Sequence, residues 1–217
     1  MYQNLTTMNI KVLSAALGLA LTVGAFNANA QKAYTSGVIS FPTEVRGQPA
    51  DAKEYFTPDS SATIITFGAG SVKILATSKH DYLAVLLDIP VAGIKKAGIA
   101  TPAELEEGMA NIPAFTYTPT TETKTISGFN CTKIVAKDSK SGKTYDVWVT
   151  KDISVPPTAI AFYYKGIDGF PVQYTSFNQG EETTITVKTI TGDKAPAGTF
   201  GITSDFEKGT MADLMQQ

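Results

Sequence analysis

The stretch "KTISGFNCTKIVAKDSKSGKTYDVWVTKDI", residues 124–153, decides the fold. Two runs, "NCTKIVAKD" and "KTYDVWVTKD", alternate with a period of two around the turn residues "SKSGK", as antiparallel strands joined by a short connection do. In the second run Tyr145, Val147 and Val149 oppose Asp146, Trp148 and Thr150, so one face of the sheet is covered and the other is more polar. Gly128 lets the chain bend sharply before "FNCTKIV". The only cysteine, Cys131, shares parity with Phe129 and Val135 and reads as a small apolar core residue. A catalytic thiol needs a base, and the only histidine, His80, sits in the polar turn "SKHDY", about fifty residues earlier. The only tryptophan, Trp148, either covers a neighbouring element or lines a concave ligand face.

The same period continues outward. "ATIITF" (62–67) and "SVKILATS" (71–78) flank the Gly-rich hairpin connection "GAG". "YLAVLLD" (82–88) is apolar at both parities, which predicts a strand covered on both faces. After 114, "AFTYTPT", "TKTISG", "FPVQYTSFN" and "ETTITVKTI" add further strands, with a turn at "NQGEE". Short turns between successive strands imply an antiparallel meander. The Pro-rich segment 42–61, "PTEVRGQPADAKEYFTPDSS", reads as a long connection. One helix is strongly signalled in "TPAELEEGMANI": Thr101 as N-cap, Pro102 at N1, and Glu104 closing a capping box. Leu105, Met109 and Ile112 then form one apolar stripe towards the sheet. "VAGIKKAGIA" before it reads as a looser helical turn, and a weaker box, Thr210 to Asp213, predicts a short C-terminal helix. The fold class is α+β.

Residues 1–30 read as a cleaved secretory signal, with Lys11 in its positive region, an apolar run from Val12 to Phe26, and cleavage after Ala30. The remaining 31–217 suit a single domain with a full core and no transmembrane segment. Without the leader, 17 basic side chains face 20 acidic ones, since Lys11 is the only charged residue of the first thirty. Arg46 is the only arginine, and no basic cluster exists to bind nucleic acid or an anionic membrane surface. One cysteine allows no internal disulfide, so a large core must supply stability in an oxidising compartment.

Patterns for chemistry are lacking. One histidine and one cysteine cannot make a zinc set. Asp51, Glu54 and Asp59 lack EF-hand spacing and read as solvated loop carboxylates. There is no G-x-S-x-G elbow and no Gly-rich loop opening a helix after a strand. Glu106-Glu107 and Glu181-Glu182 read as exposed charges rather than a hydrolytic pair. No enzyme, cofactor or metal is expected.

The elements "K-T-I-x-G-aromatic-x-C-x-K" (124–133), "G-K-T-Y-x-V-W-V-T" (142–150) and the "G-F-P" strand start (169–171) resemble a family of exported bacterial domains. That family is similar in turn to the LolA-like periplasmic lipoprotein-carrier superfamily. The resemblance spans most of 34–214 and is best over 122–190. It implies an unclosed half-barrel, a curved antiparallel sheet with one or two helices packed across a concave face that shelters acyl chains. With the excess of apolar strand positions, it suggests a periplasmic or secreted, non-catalytic module binding a lipid, an acyl chain or a lipidated protein. The expected lining is Trp148, Phe162, Tyr164, Tyr174, Phe177 and the Leu105/Met109 face of the helix. The alternative is an envelope protein–protein interaction or structural domain with a filled core and contacts through surface loops such as 42–61. With a single arginine, this chain is less basic than the carriers.

Overall fold

Alternation between small, β-branched and aromatic residues carries the chain from strand to strand. In the computed structural model of the unit Gln31–Gln217, residues 31–45, 47–178 and 181–215 are described. The leader read over 1–30, with its cut after Ala30, lies outside them. Strands β1 (Lys32–Ala33), β2 (Gly37–Val45), β3 (Gln48–Phe56), β4 (Ser60–Phe67), β5 (Gly70–Thr77), β6 (Leu83–Ile89) and β7 (Ile94–Ile99) precede helix α1 (Pro102–Ala110). Then come β8 (Phe115–Ile126), β9 (Phe129–Asp138), β10 (Thr144–Thr150), β11 (Ile153–Ser154), β12 (Phe170–Asn178), β13 (Glu181–Thr186), β14 (Thr189–Thr191), β15 (Glu207–Thr210) and the short helix α2 (Met211–Met215).

Eight strands form one sheet in the order β14-β2-β3-β4-β5-β6-β7-β15, and five form another in the order β13-β12-β10-β9-β8. Pairing is antiparallel except for β15 on β7 and the small β1–β11 ladder. The two sheets share a corner. Between β13 and β14 the Val187 amide donates to the Val172 carbonyl of one sheet, and the Lys188 amide donates to the Ser40 carbonyl of the other, each at 2.8 Å. Neither sheet closes, so the architecture is α+β with unclosed, largely antiparallel sheets.

The hairpin at the heart of the opening stretch turns on Ser127 and Gly128, both at positive φ (51° and 84°), between the paired residues Ile126 and Phe129. Two residues at positive φ match the right-handed twist of the flanking strands. Segment 42–61 differs from expectation. It is the β2–β3 hairpin and the start of β4, with Val45 opposite Gln48 and Phe41 opposite Ala52. Pro42 and Pro49 are tolerated because each lies where its strand has a neighbour on one side only. β14 reaches only Val38–Ser40, and β4 reaches only Asp51–Phe56. Segment 91–100 also differs. A single 3₁₀ turn over Pro90–Ala92 leads straight into β7, which pairs with β6 from Ile94 to Ile99.

Three apolar clusters hold these layers. The largest joins Ile39, Phe41, Ala52 and Phe56 of β2–β3 to Cys131, Phe170, Val172 and Ile185 of the five-stranded sheet. A second gathers Ile134, Ala136, Val147 and Val149 against Tyr164 and Ile167. In the third, Phe200, Ile202 and Phe206 pack over Ala62, Leu75, Ala84, Leu86 and Ala97.

Candidate functional site

Directly paired residues of antiparallel strands point to the same side of a sheet. One row across the eight-stranded sheet therefore reads Ile39, Glu54, Thr63, Ile74, Val85, Gly98. The next reads Phe41, Ala52, Ile65, Val72, Leu87, Lys96. At the β2–β3 end this inner face is buried under the five-stranded sheet. From β4 to β6 the cover is only partial, with Ile65 still packed against that core. Ile65, Val72, Ile74, Val85 and Leu87 are all only half-buried. The outer face of the same strands is buried beneath residues 200–206. That arrangement explains why β6 is apolar at both parities: Ala84 and Leu86 serve the outer core, while Val85 and Leu87 line a half-buried apolar strip on the inner face.

Helix α2 bounds the strip at the β7 end. A Cβ on Gly98 would lie 3.0 Å from both the Leu214 Cβ and the Thr210 carbonyl oxygen, so glycine allows α2 to approach the sheet. The capping box of α1 is present, with the Glu104 carboxylate accepting from the Thr101 amide at 2.7 Å and the Thr101 hydroxyl accepting from the Glu104 amide at 3.3 Å. The second oxygen of Glu104 accepts from the Ala212 amide at 3.2 Å, tying α1 to α2. These hydrogen bonds, those to Thr101 first, hold the Glu104 carboxyl below its ordinary range.

The opposite wall is the segment after β11. Two single 3₁₀ turns, Pro157–Ala159 and Phe162–Tyr164, carry it, and the Thr158 hydroxyl donates to the Thr57 carbonyl just beyond β3. Tyr164 is fully buried, donates to the Thr175 carbonyl at 2.9 Å, and stacks on Phe115 with ring centres 5.2 Å apart. Around it Tyr145, Tyr163, Tyr174 and Phe177 meet edge to face. Burial pushes the Tyr117 phenol up to about 12 and the Tyr163, Tyr164 and Tyr174 phenols above their ordinary range. These aromatics fill the inner side of the five-stranded sheet with the protein's own side chains.

Glu54 sits where the filled and open regions meet. It lies on β3, on the same side as Ala52 and Phe56, with Ile39 and Thr63 directly beside it. Among the described residues, no donor or cation pairs with its carboxylate. Burial pushes its pKa up to about 7, and its charge is felt at the Tyr163 and Tyr174 phenols.

The residues named from sequence do not form one lining. Tyr164, Tyr174 and Phe177 come together in the aromatic cluster. Phe162 packs on His80 at 5.1 Å and shares a recess of about 350 Å³ with Met109, Ile112, Phe115 and Tyr163. Met109 is 48% exposed, Leu105 is half-buried, and α1 buries no residue, so the expected stripe towards the sheet is not packed. Trp148 points away from the aromatic cluster, opposite Lys133 and Gln173, with the Lys124 ammonium 4.0 Å above its ring. Cys131 is buried, and burial raises its thiol pKa. A second recess, about 400 Å³ and polar, lies beside α2 between Lys96, Glu207 and Asp213.

Sequence reasoning missed Glu54, Tyr163 and the strip Ile65/Val72/Ile74/Val85/Leu87. The signal for Glu54 was the parity of Ala50, Ala52, Glu54 and Phe56, which marks one face of a strand inside what reads as a loop.

Comparison with protein-family profiles and with curated protein sequences finds no match. Among solved structures, PNGF-II in two crystal forms is similar, at 13% identity with TM-scores of 0.46 and 0.47. The match covers 83% and 84% of this chain, which spans about a third (32%) of the PNGF-II chain.

Proposed function

We propose that this domain is a non-catalytic binding module of the bacterial envelope that shelters the apolar chain of a lipid-like ligand along the inner face of β4–β6. One observation carries the reading: five aliphatic side chains on one face of adjacent strands are left half-buried, while aromatics close the neighbouring face of the five-stranded sheet around Tyr164. Leaving such a strip uncovered forgoes about 25 cal/mol for each Å² that could be buried, which is a standing drive to take up an apolar partner. Helix α2 and the Tyr163 segment bound the strip on two sides. The resemblance of the 124–150 motifs to exported lipoprotein-carrier-like domains supports the same reading. A buried thiol and a lone histidine packed on Phe162 offer no nucleophile–base pair.

Native mass spectrometry of protein purified from its own envelope is expected to show a lipid-sized adduct, and delipidated protein should bind Nile red. Val85→Lys, which charges the middle of the strip, should abolish dye uptake. A clean apo mass together with no dye binding overturns the reading. The aromatic filling favours a second one: an envelope interaction domain with a closed core and no small-molecule ligand. It predicts an apo mass and a protein partner in a pulldown.

A further inference from the structure

The open strip has a polar end, and its chemistry selects a head group. From Glu54 on β3 to Gly98 on β7, the row crosses four inter-strand steps of about 4.8 Å, roughly 19 Å in all, the length of a long alkyl chain. One terminus is closed by Leu214 over Gly98. The other carries a lone carboxyl group between the Tyr163 segment and β12. Resting on the reading of the strip as an apolar-chain site, we propose that Glu54 is the head-group receptor for a single-chain amphiphile bearing a cationic amine.

Glu54 is half-buried at the end of this row, and among the described residues no side chain or amide bonds its carboxylate, so the strip ends on a charge the chain leaves unpaired. The groups that face it are Tyr163, from the wall segment, and Tyr174, from β12. On its own sheet, its neighbours Ile39 of β2 and Thr63 of β4 carry no charge. Neither phenol bonds the carboxylate: the Tyr163 hydroxyl is engaged with the Ser176 hydroxyl at 3.2 Å. An ammonium group placed there forms a charge-assisted hydrogen bond and restores the ionised carboxylate. An anionic head meets like charge at the same place, so fatty acids are discriminated against. A neutral alcohol gains the alkyl contacts and lacks the ion pair.

Isothermal titration of the delipidated full chain at pH 8 with tetradecylamine, tetradecanol and tetradecanoate, each below its micellar concentration, tests this. The amine should bind most tightly and the carboxylate least. Glu54→Gln should weaken the amine by roughly 10- to 100-fold, the range for a hydrogen bond to a charged group, and leave the alcohol within about twofold. Amine affinity should also fall as the pH is lowered from 8 to 5, as Glu54 takes up its proton, and should not do so in the Gln variant. Equal affinity for amine and carboxylate, or an amine affinity unmoved by Glu54→Gln, overturns the head-group assignment and leaves the apolar-chain reading standing. Binding of none of the three overturns both.

Discussion

Replacing Glu54 with Gln should make the protein more stable above neutral pH and leave it unchanged in mild acid. The carboxyl has an ordinary value of 4.5 when exposed and about 7 when folded, because burial disfavours its charge. Between those values the native state keeps a proton that the unfolded state has lost. Stability therefore falls as pH rises through the window and levels off above it. At ~1.4 kcal/mol per pH unit, the gap amounts to roughly 3 kcal/mol. Gln keeps the shape and carries no charge, so it lacks this loss. Urea unfolding at pH 4, 5, 6, 7 and 8, on variant and parent in parallel, measures the difference and cancels the other titrating groups. The two should agree within about 0.5 kcal/mol at pH 4. By pH 8 they should diverge by about 3 kcal/mol, a midpoint shift of about 1–3 M urea for ordinary slopes. Parallel curves across the range would mean that Glu54 is fully hydrated in the folded protein and does not mark the polar end of the strip.

Other perturbations follow from the same geometry. Gly98→Ala drives a methyl against Leu214 and should cost about 1–3 kcal/mol, with faster amide exchange over 209–215 as the local readout. Tyr164→Phe removes only the hydroxyl and leaves the Thr175 carbonyl short of a donor, for about 1–3 kcal/mol. Tyr164→Ala empties the stack on Phe115 and should cost about 3–5 kcal/mol by chemical denaturation. Asp138 accepts from the Ser141 hydroxyl at 2.5 Å and from the Ala114, Lys140 and Ser141 amides at 3.1 Å, holding its carboxyl down at about 2. Its contribution is present above 3.8 and lost as pH falls towards 2, so Asp138→Asn should lower stability at pH 6 and flatten the acid limb of the unfolding profile.

Much of the fold was legible because local rules and the final packing agree. The Thr101–Glu104 box, the turn at Ser127-Gly128 and the alternation in β9 and β10 each carry their own signal over few residues. The segment 42–61 was not legible, since two prolines and a run of small or charged side chains look like a loop until the sheet edges are known. β7 was hidden for a related reason: "GIKKAGI" has no clean period, and only the neighbouring β6 makes it a strand. The candidate site depends on register, so whether Val85 meets a filled core or an open strip is decided by what the distant segments 156–168 and 200–206 cover. Trp148 shows the same limit. Its parity sets it beside Asp146 and Thr150, but the core it packs against and the Lys124 of β8 that caps its ring come from distant parts of the chain.

The shared corner at Val187 and Lys188 sets the order in which this chain can mature. β2 finds its second neighbour only when β14 arrives, and the Tyr34 hydroxyl donates to the Ile190 carbonyl across 156 residues. Loop closure over such a span is slow, and it waits until nearly the whole polypeptide has been delivered. The N-terminal strands thus stay incomplete until the last strands of the chain exist, so an early-made half has no finished sheet of its own to settle into.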